Sequence, residues 1–431
     1  MNESVREPPG RDYAVQYAAV AAGGFAAFLV TAYVGATYLG AFDFASVLSF
    51  QANDWPFNIR TLPDSSFAVG IHYFGDFLAT WRQSAVASPY VTDASLWPSN
   101  YPPAVHLLFR PLTWLPYHVA LFVFLTASAV AVIGPMWFAF RTRPAAQRVL
   151  LVVSGVVLTG PFLSMLDRGN LQGVVSGLVI VAALLLASRR DLWAAICIGL
   201  AAALKGYPLI LIVILIHRRR WRESAVALGV FCGITLLALL TFGGGIAANL
   251  EGLWSATSPF RNLEVGGETV VPAYNNSLYS FLQVAGAADV PGSNALLTHY
   301  GALVAVLALV VVVVALLPRL SLVERLIALC SFTILAPTIT GSYALTLLLA
   351  PVAVLALRGT RRWRLPTLYA VLIGLAMVPK ALPIGSGDVT VASVVNPMLV
   401  VMLLTAVAIS GASRATAAVG ASRPTSERHA T

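Results

Sequence analysis

The stretch Ala201–Glu223 reads AAALKGYPLILIVILIHRRRWRE. An apolar run carries Lys205 and Pro208 at its centre and ends in a block of arginines. A lone charge among hydrophobic residues is costly, so its neighbours decide what the run is. On one side lies "RRD" (189–191), on the other "HRRRWRE" (217–223). Clusters of arginine next to apolar runs mark the cytoplasmic side of a membrane protein. One crossing between the two clusters would put the second on the wrong side. Two half-length helices meeting at Lys205-Gly206-Tyr207-Pro208 remove the conflict. Pro208 disfavours helix at Tyr207, and Gly206 permits a turn. The stretch is therefore a re-entrant hairpin entering from the cytoplasm, with Lys205 at its tip. Broken helices at membrane depth are tolerated where they are buried in protein or line a wet cavity.

The rest of the chain agrees. Of its 431 residues 58% are hydrophobic and 10% charged, against roughly 25% charged in a soluble domain. Runs of roughly 17 to 25 apolar residues are read as spans. They fall near 14–40, 117–139, 148–166, 171–188, 224–243, 298–318, 323–338, 341–357, 365–382 and 390–411. These make about ten spans besides the hairpin. With both termini inside, the clusters at 141–148, 189–191, 217–223, 319–325 and 358–364 are all cytoplasmic. The net charge of +9 is then mainly a topology signal, and nucleic acid is not an expected partner. The expected organisation is one integral membrane domain over 13–412, with cytoplasmic tails 1–12 and 413–431. Outer loops lie near 41–116 and 244–297. Met1 to Tyr13 is polar and gives no cleavable signal-peptide pattern.

Within the first outer loop, residues 73–90 fit an amphipathic helix, and "YPPAVHLLFRPLTWLP" (101–116) is too short and proline-rich to span. The polar residues gather on the outer side. Asp76 lies among Tyr73, Phe74, Phe77 and Trp81. It is either a solvated acid on a polar face or a carboxylate in a partly apolar cleft, suited to general base work. The turn "LDRGNLQG" (166–173) holds Asp167 and Arg168, which either cap the turn as an ion pair or offer a guanidinium fork to an anionic group. Asn170 and Gln172 add neutral hydrogen bonds there. Lys205 sits mid-run rather than at a snorkelling end, and an ionisable residue in a membrane segment is a functional candidate. It and Lys380 are the chain's two lysines, and both fall on the outer side. "AYNNSLYSFL" (273–282) and Tyr343 in "APTITGSYALTLLLAP" (336–351) offer groups suited to sugar hydroxyls, although loops favour Asn and Ser in any case. Cys197, Cys232 and Cys330 lie in apolar runs without ligand spacing, and the six histidines are scattered. No metal site and no cofactor is expected.

Taken in order, these stretches resemble glycosyltransferase family 87, polyprenyl-phosphate-sugar-dependent enzymes of the C-type membrane fold. The likeness rests on "GDFLATWRQSAVASPY" followed by "YPPAVHLLFRPLTWLP", on "RGNLQGVVSGLVIVAALLL" followed by "GLAAALKGYPLILIVILIHRRRWR", and on "NNSLYSFL" with "PTITGSYALTLLLAP". It covers most of residues 70–350. The usual Gly-Gln-x-Asn turn is here "RGNLQG", which points to a subgroup. The resemblance implies an all-α polytopic fold and Asp76 as catalytic base. It implies transfer of mannose, or next arabinofuranose, from a polyprenyl-phosphate donor to an envelope glycan or glycolipid. The active site would face the periplasm or cell exterior of the cell membrane. Arg168 and Lys205 are the expected phosphate ligands, with Arg82, His106 and Arg110 in reserve. Tyr101, His106, Asn170, Gln172, Asn275, Asn276 and Tyr343 are the expected sugar or acceptor contacts. A transporter or flippase of lipid-linked sugars is the competing class, and a non-catalytic envelope assembly subunit the third. Convergence of Asp76, Arg168 and Lys205 discriminates among them.

Overall fold

The computed structural model describes residues 12–37, 74–91, 99–265, 275–358, 367–380, 382–384 and 389–421. Most of tail 1–12, parts of both outer loops, the cluster at 359–364 and the end of the C-terminal tail lie outside these. The described chain is all-α apart from one antiparallel pair of two-residue strands, Pro383–Ile384 and Val389–Thr390. Helix α1 (Tyr13–Thr37) comes first, then α2 (Gly75–Ala85) and the short α3 (Pro103–Phe109), which runs into a 3-10 turn at Arg110–Trp114. Next are α4 (Tyr117–Ala139), α5 (Ala145–Val152), α6 (Gly160–Arg168), α7 (Gln172–Ala187) and α8 (Asp191–Lys205). They are followed by α9 (Ile212–His217), α10 (Trp221–Thr241), α11 (Gly245–Val265), α12 (Leu278–Ala287) and α13 (Ser293–Thr298). The last are α14 (Tyr300–Leu316), α15 (Leu322–Leu335), α16 (Leu349–Arg358), α17 (Thr367–Met377) and α18 (Val391–Ala421).

In their described residues the ten apolar runs form helices or broken helices, the pattern of a multi-pass membrane protein. Their lengths differ from the expectation. Among the described residues four helices are long and apolar enough to cross a membrane: Tyr13–Gly35, Tyr117–Ala139, Trp221–Thr241 and Val391–Arg414. A fifth crossing results if Ala145–Val157 and Gly160–Arg168 count as one span bent by 63°. The other runs are shorter helices. At about 1.5 Å per residue, the 16 residues of α7 reach about 24 Å, less than a 30 Å hydrocarbon core. Apolar composition alone does not show where caps and 3-10 turns cut a run, so the count of ten crossings does not follow from helix length.

The break at Lys205 is the one the sequence predicts. Helix α8 ends there, Gly206 has φ 55° and ψ −60°, and a 3-10 turn at Tyr207–Leu211 leads into α9. The segment returns to its starting level. Arg218 Nη1 donates to Asp191 Oδ1 at 2.7 Å, and Arg220 Nε lies 3.1 Å from Asp191 Oδ2. Other basic clusters are tied at the same kind of helix end. Arg143 pairs with Asp12 at 2.6 Å. Arg325 donates to the carbonyls of Ala315, Leu317 and Leu320, and Arg414 reaches Glu324 at 2.8 Å. Glu324 also closes a capping box with Ser321, which starts α15.

The core centres on α7, packed between α4 and α8, with Val175, Val179, Ile180, Ala183 and Leu186 buried. Because α7 and α8 both end in the Arg189–Asp191 turn, the opposite ends of these helices come together. The 15 residues of α8 carry Lys205 about 22 Å from that turn. The polar residues of the candidate site meet there.

Candidate active site

Asp76 enters the site on the first turn of α2. Phe74, just before it, takes the left-handed conformation with φ 57°. Its N–H donates to the Asp167 carbonyl at 3.3 Å. Such a conformation is uncommon for a bulky residue and clusters at functional sites. The helix is held by its apolar face. Phe77 is fully buried, with ring centroids 5.6 Å from Phe109, 5.7 Å from Tyr117 and 5.2 Å from Phe124. Trp81 Nε1 donates to the Leu112 carbonyl at 3.1 Å. The helix N-terminus favours the carboxylate of Asp76.

The turn after α6 supplies three partners. Gly169 ends that helix with φ 60°, and a Cβ there would meet Phe77 Cβ at 2.7 Å. The glycine lets the turn approach α2. Arg168 Nε then donates to Asp76 Oδ2 at 3.1 Å, and Asn170 Nδ2 donates to the same oxygen at 2.6 Å. Asn170 Oδ1 accepts from the Gln172 backbone N–H at 2.8 Å and from Lys205 Nζ at 3.0 Å. Gln172 Oε1 accepts from Lys205 Nζ at 3.2 Å and from the Tyr207 hydroxyl. Tyr343 covers the two cations, its ring centroid 4.8 Å from Lys205 Nζ and 5.9 Å from Arg168 Cζ. Asn170 also reaches the Tyr101 hydroxyl at 3.4 Å.

One network thus joins Asp76, Arg168, Asn170, Gln172, Lys205, Tyr101 and Tyr343. Arg168 forms its ion pair with Asp76, while Oδ2 of the adjacent Asp167 is buried with no hydrogen-bond donor among the described residues. The Asp76 side chain is 18% exposed, sheltered yet reachable. Burial alone would raise its pKa. The Arg168 charge, hydrogen bonds from Asn170 and Arg168, and the Lys205 charge outweigh that and hold it below the usual carboxylate range. Burial, and next the Asp76 charge, push the Tyr101 phenol well above its ordinary value, so it stays protonated.

The other expected residues lie elsewhere. His106 is buried beneath the site, with Nδ1 2.8 Å from Ser84 Oγ and Nε2 2.8 Å from Ser99 Oγ. Ser99 Oγ accepts from the Tyr101 N–H at 3.1 Å, so the histidine supports the Tyr101 loop. Burial pushes its pKa down to about 3, leaving it neutral. Asn275 and Asn276 pin the 338–342 loop that precedes Tyr343. Asn275 Nδ2 donates to the Thr338 carbonyl and its Oδ1 accepts from Thr340 N–H. Asn276 Nδ2 donates to Ser342 Oγ, and its Oδ1 accepts from Asn396. Asn396 in turn accepts from Lys380 Nζ at 2.8 Å. Arg110 donates to the Thr241 carbonyl, and Arg82 is exposed. Sequence reasoning missed Tyr207, Ser176 and Thr346. Gln172 Nε2 donates to Ser176 Oγ at 2.9 Å, which lies 2.7 Å from Thr346 Oγ1. The i, i+4 spacing of Gln172 and Ser176 on one helix face was the available signal.

The model of glycosyltransferase family 87 matches residues 100–336, which include Arg168, Asn170, Gln172 and Lys205 but neither Asp76 nor Tyr343. A polyprenol-phosphate-mannose-dependent alpha-(1-2)-phosphatidylinositol mannoside mannosyltransferase of Mycobacterium tuberculosis (strain ATCC 25618 / H37Rv) is 29% identical over 160 residues, 33% of this chain and 37% of that protein. A polyprenol-phosphate-mannose-dependent alpha-(1-2)-phosphatidylinositol pentamannoside mannosyltransferase of Mycolicibacterium smegmatis (strain ATCC 700084 / mc(2)155) is 27% identical over 151 residues, 34% of this chain and 36% of that protein. The match therefore spans little more than a third of either relative. The family model covers more than half of the chain, and its matched region contains both cations and both amides of the network around Asp76. The chain belongs to glycosyltransferase family 87.

Proposed function

We propose that this chain is an inverting membrane glycosyltransferase that moves a sugar from a polyprenyl-phosphate donor to a glycan or glycolipid. Mannose is the first choice of sugar, in keeping with the donor named for both relatives, and arabinofuranose the second. A lipid-borne mannoside fits as acceptor, since the relatives' names specify phosphatidylinositol mannosides. The observation that carries the reading is one carboxylate and two cations in a single network. Asp76 takes Arg168 at 3.1 Å, and Asn170 bridges Asp76 to Lys205.

In the proposed reaction the donor phosphate engages Arg168 and Lys205. Drawing Arg168 from Asp76 lifts the carboxyl from its depressed range toward one suited to a base. Asp76 takes the proton of an acceptor hydroxyl as that oxygen bonds to the anomeric carbon. The bond from the anomeric carbon to the phosphate oxygen breaks, and polyprenyl phosphate leaves carrying the bonding pair. Its added negative charge is met by the two fixed cations. Tyr101, Asn170, Gln172 and Tyr343 orient the sugar or acceptor, while His106, Asn275 and Asn276 hold the loops that carry Tyr101 and Tyr343. The site lies about 22 Å from the arginine-rich turn, which supports an outward-facing site in the cell membrane, within a single unit over 13–412. A flippase needs functional polar groups toward both faces, whereas this network gathers at one end.

The test is sugar transfer in membranes with radiolabelled polyprenyl-phosphate mannose and, separately, polyprenyl-phosphate arabinose, comparing wild type with Asp76→Asn. Transfer from one donor that drops roughly 10²- to 10⁴-fold in the variant, with the protein still folded and inserted, supports the base and names the donor. Equal transfer by both proteins removes Asp76 from the mechanism. No transfer from either donor rejects the proposed donors and brings lipid-flipping assays forward.

A further inference from the structure

At the end of the molecule opposite Asp76 the chain makes the same turn twice. After α7, Arg189 takes φ 60° and the Arg190 N–H donates to the Leu185 carbonyl at 2.9 Å. After α9, Arg219 takes φ 58° and the Arg220 N–H donates to the Leu215 carbonyl at 2.9 Å. The following residues match too, with φ −93° and ψ 60° at Arg190 and φ −89° and ψ 63° at Arg220. Glycine is the usual occupant of such a left-handed helix-terminal position. Arginine stands there in both turns, against backbone preference.

Arg189, Arg190 and Arg220 line an open cavity of about 380 Å³ together with Trp193, Asp191 and Glu223. Asp191 is already engaged by Arg218 and Arg220. Among the described residues Arg189 and Arg190 have no acid within ion-pairing distance. Trp193 is 60% exposed and Trp221 64%, so the arginines sit beside indoles that face outward. Indoles favour the headgroup level of a bilayer, and guanidinium forks match phosphate oxygens. Basic pockets between membrane helices bind anionic headgroups.

We infer that this cavity is a binding site for the headgroup of an anionic phospholipid, separate from the Asp76 network. The phosphodiester meets Arg189 and Arg190, and Trp193 lies against the glycerol backbone. The site rests on the paired turns and the cavity, so it stands whether or not the proposed reaction does.

The test titrates the full chain, purified in detergent, with phosphatidylglycerol or phosphatidylcholine and counts retained lipid by native mass spectrometry. Phosphatidylglycerol is expected to bind at least tenfold more tightly than phosphatidylcholine. Arg189→Gly combined with Arg190→Gln is expected to weaken it at least tenfold, while the melting temperature holds because glycine accepts the positive φ. Arg190→Gln alone gives the same reading should the double variant not accumulate. The matched pair Arg219→Gly with Arg222→Gln removes the same charge from outside the cavity and should change binding less than twofold. Equal weakening by both pairs would mean diffuse surface charge and overturn the site, as would a wild type that binds the two lipids alike. Displacement of phosphatidylglycerol by low millimolar inorganic phosphate would assign the cavity to a free anion and overturn the lipid reading.

Discussion

At the scale of residues, Asn170 organises the site. Its amide nitrogen serves Asp76 and its carbonyl oxygen serves Lys205 and the Gln172 backbone. The sequence singled out Asn170, Asp76, Arg168 and Lys205, because charges and amides are conspicuous in an apolar chain. It left open whether Arg168 answers Asp167 or an anionic group such as phosphate, and its pairing with the distant Asp76 was in neither reading, since adjacent residues always look like partners. The electrostatics make the choice testable. Arg168 opposes the effect of burial on Asp76, so Arg168→Gln should raise the carboxyl pKa and move the acid limb of the kcat/KM profile to higher pH. An unmoved limb with a lowered rate would assign Arg168 to phosphate alone. His106 makes a separate pH prediction. The unfolded chain takes up a proton near pH 6.5, whereas the folded protein does so only near 3. Stability is therefore full above pH 6.5 and falls as pH drops through that window, by at most about 1.4 kcal/mol per pH unit. Unfolding midpoints measured from pH 7 to 4 should fall less steeply for His106→Gln than for wild type.

At the scale of elements, the hairpin built from α8, its 3-10 turn and α9 holds Lys205 at a fixed height. Its two ends are clasped by Asp191 with Arg218 and Arg220, and its tip depends on Gly206. That glycine has φ 55° with open space where a side chain would project, so its role is backbone conformation alone. Gly206→Ala is expected to cost about 1–3 kcal/mol and to displace Lys205. Thermal unfolding in detergent and the transfer rate should both fall. Wild-type behaviour in both would show that the turn accepts an L residue and relaxes elsewhere. This hairpin was legible in the sequence because proline, glycine and flanking arginines act locally. The lengths of the other apolar helices were not legible. The π-helical turn at Val153–Val157 and the 3-10 turn at Ser342–Leu348 break runs that composition alone leaves continuous.

At the scale of the whole molecule, the arginine-rich turns and the Asp76 network occupy opposite ends of α7 and α8, which predicts sidedness. In a chain whose three cysteines are replaced by alanine, a cysteine at Arg219 should react with an impermeant maleimide only after the membrane is opened. One at Asn294, beyond the turn that leads to α14, should react in intact cells. The reverse pattern would invert the topology and place the site inside. The sequence alone determined the membrane class, the helical runs, the broken hairpin and the identity of the ionisable residues. Those follow from local apolarity, backbone preference and the cost of a charge in an apolar run. Only the tertiary structure decided which of those residues meet. The turn at Arg168–Gln172 comes against α2 because Gly169 permits close approach to Phe77. Asn275 and Asn276 are spent on the 338–342 loop because their amides face its backbone. Contacts across such distances along the chain depend on how helices pack, and no short stretch of sequence carries that information.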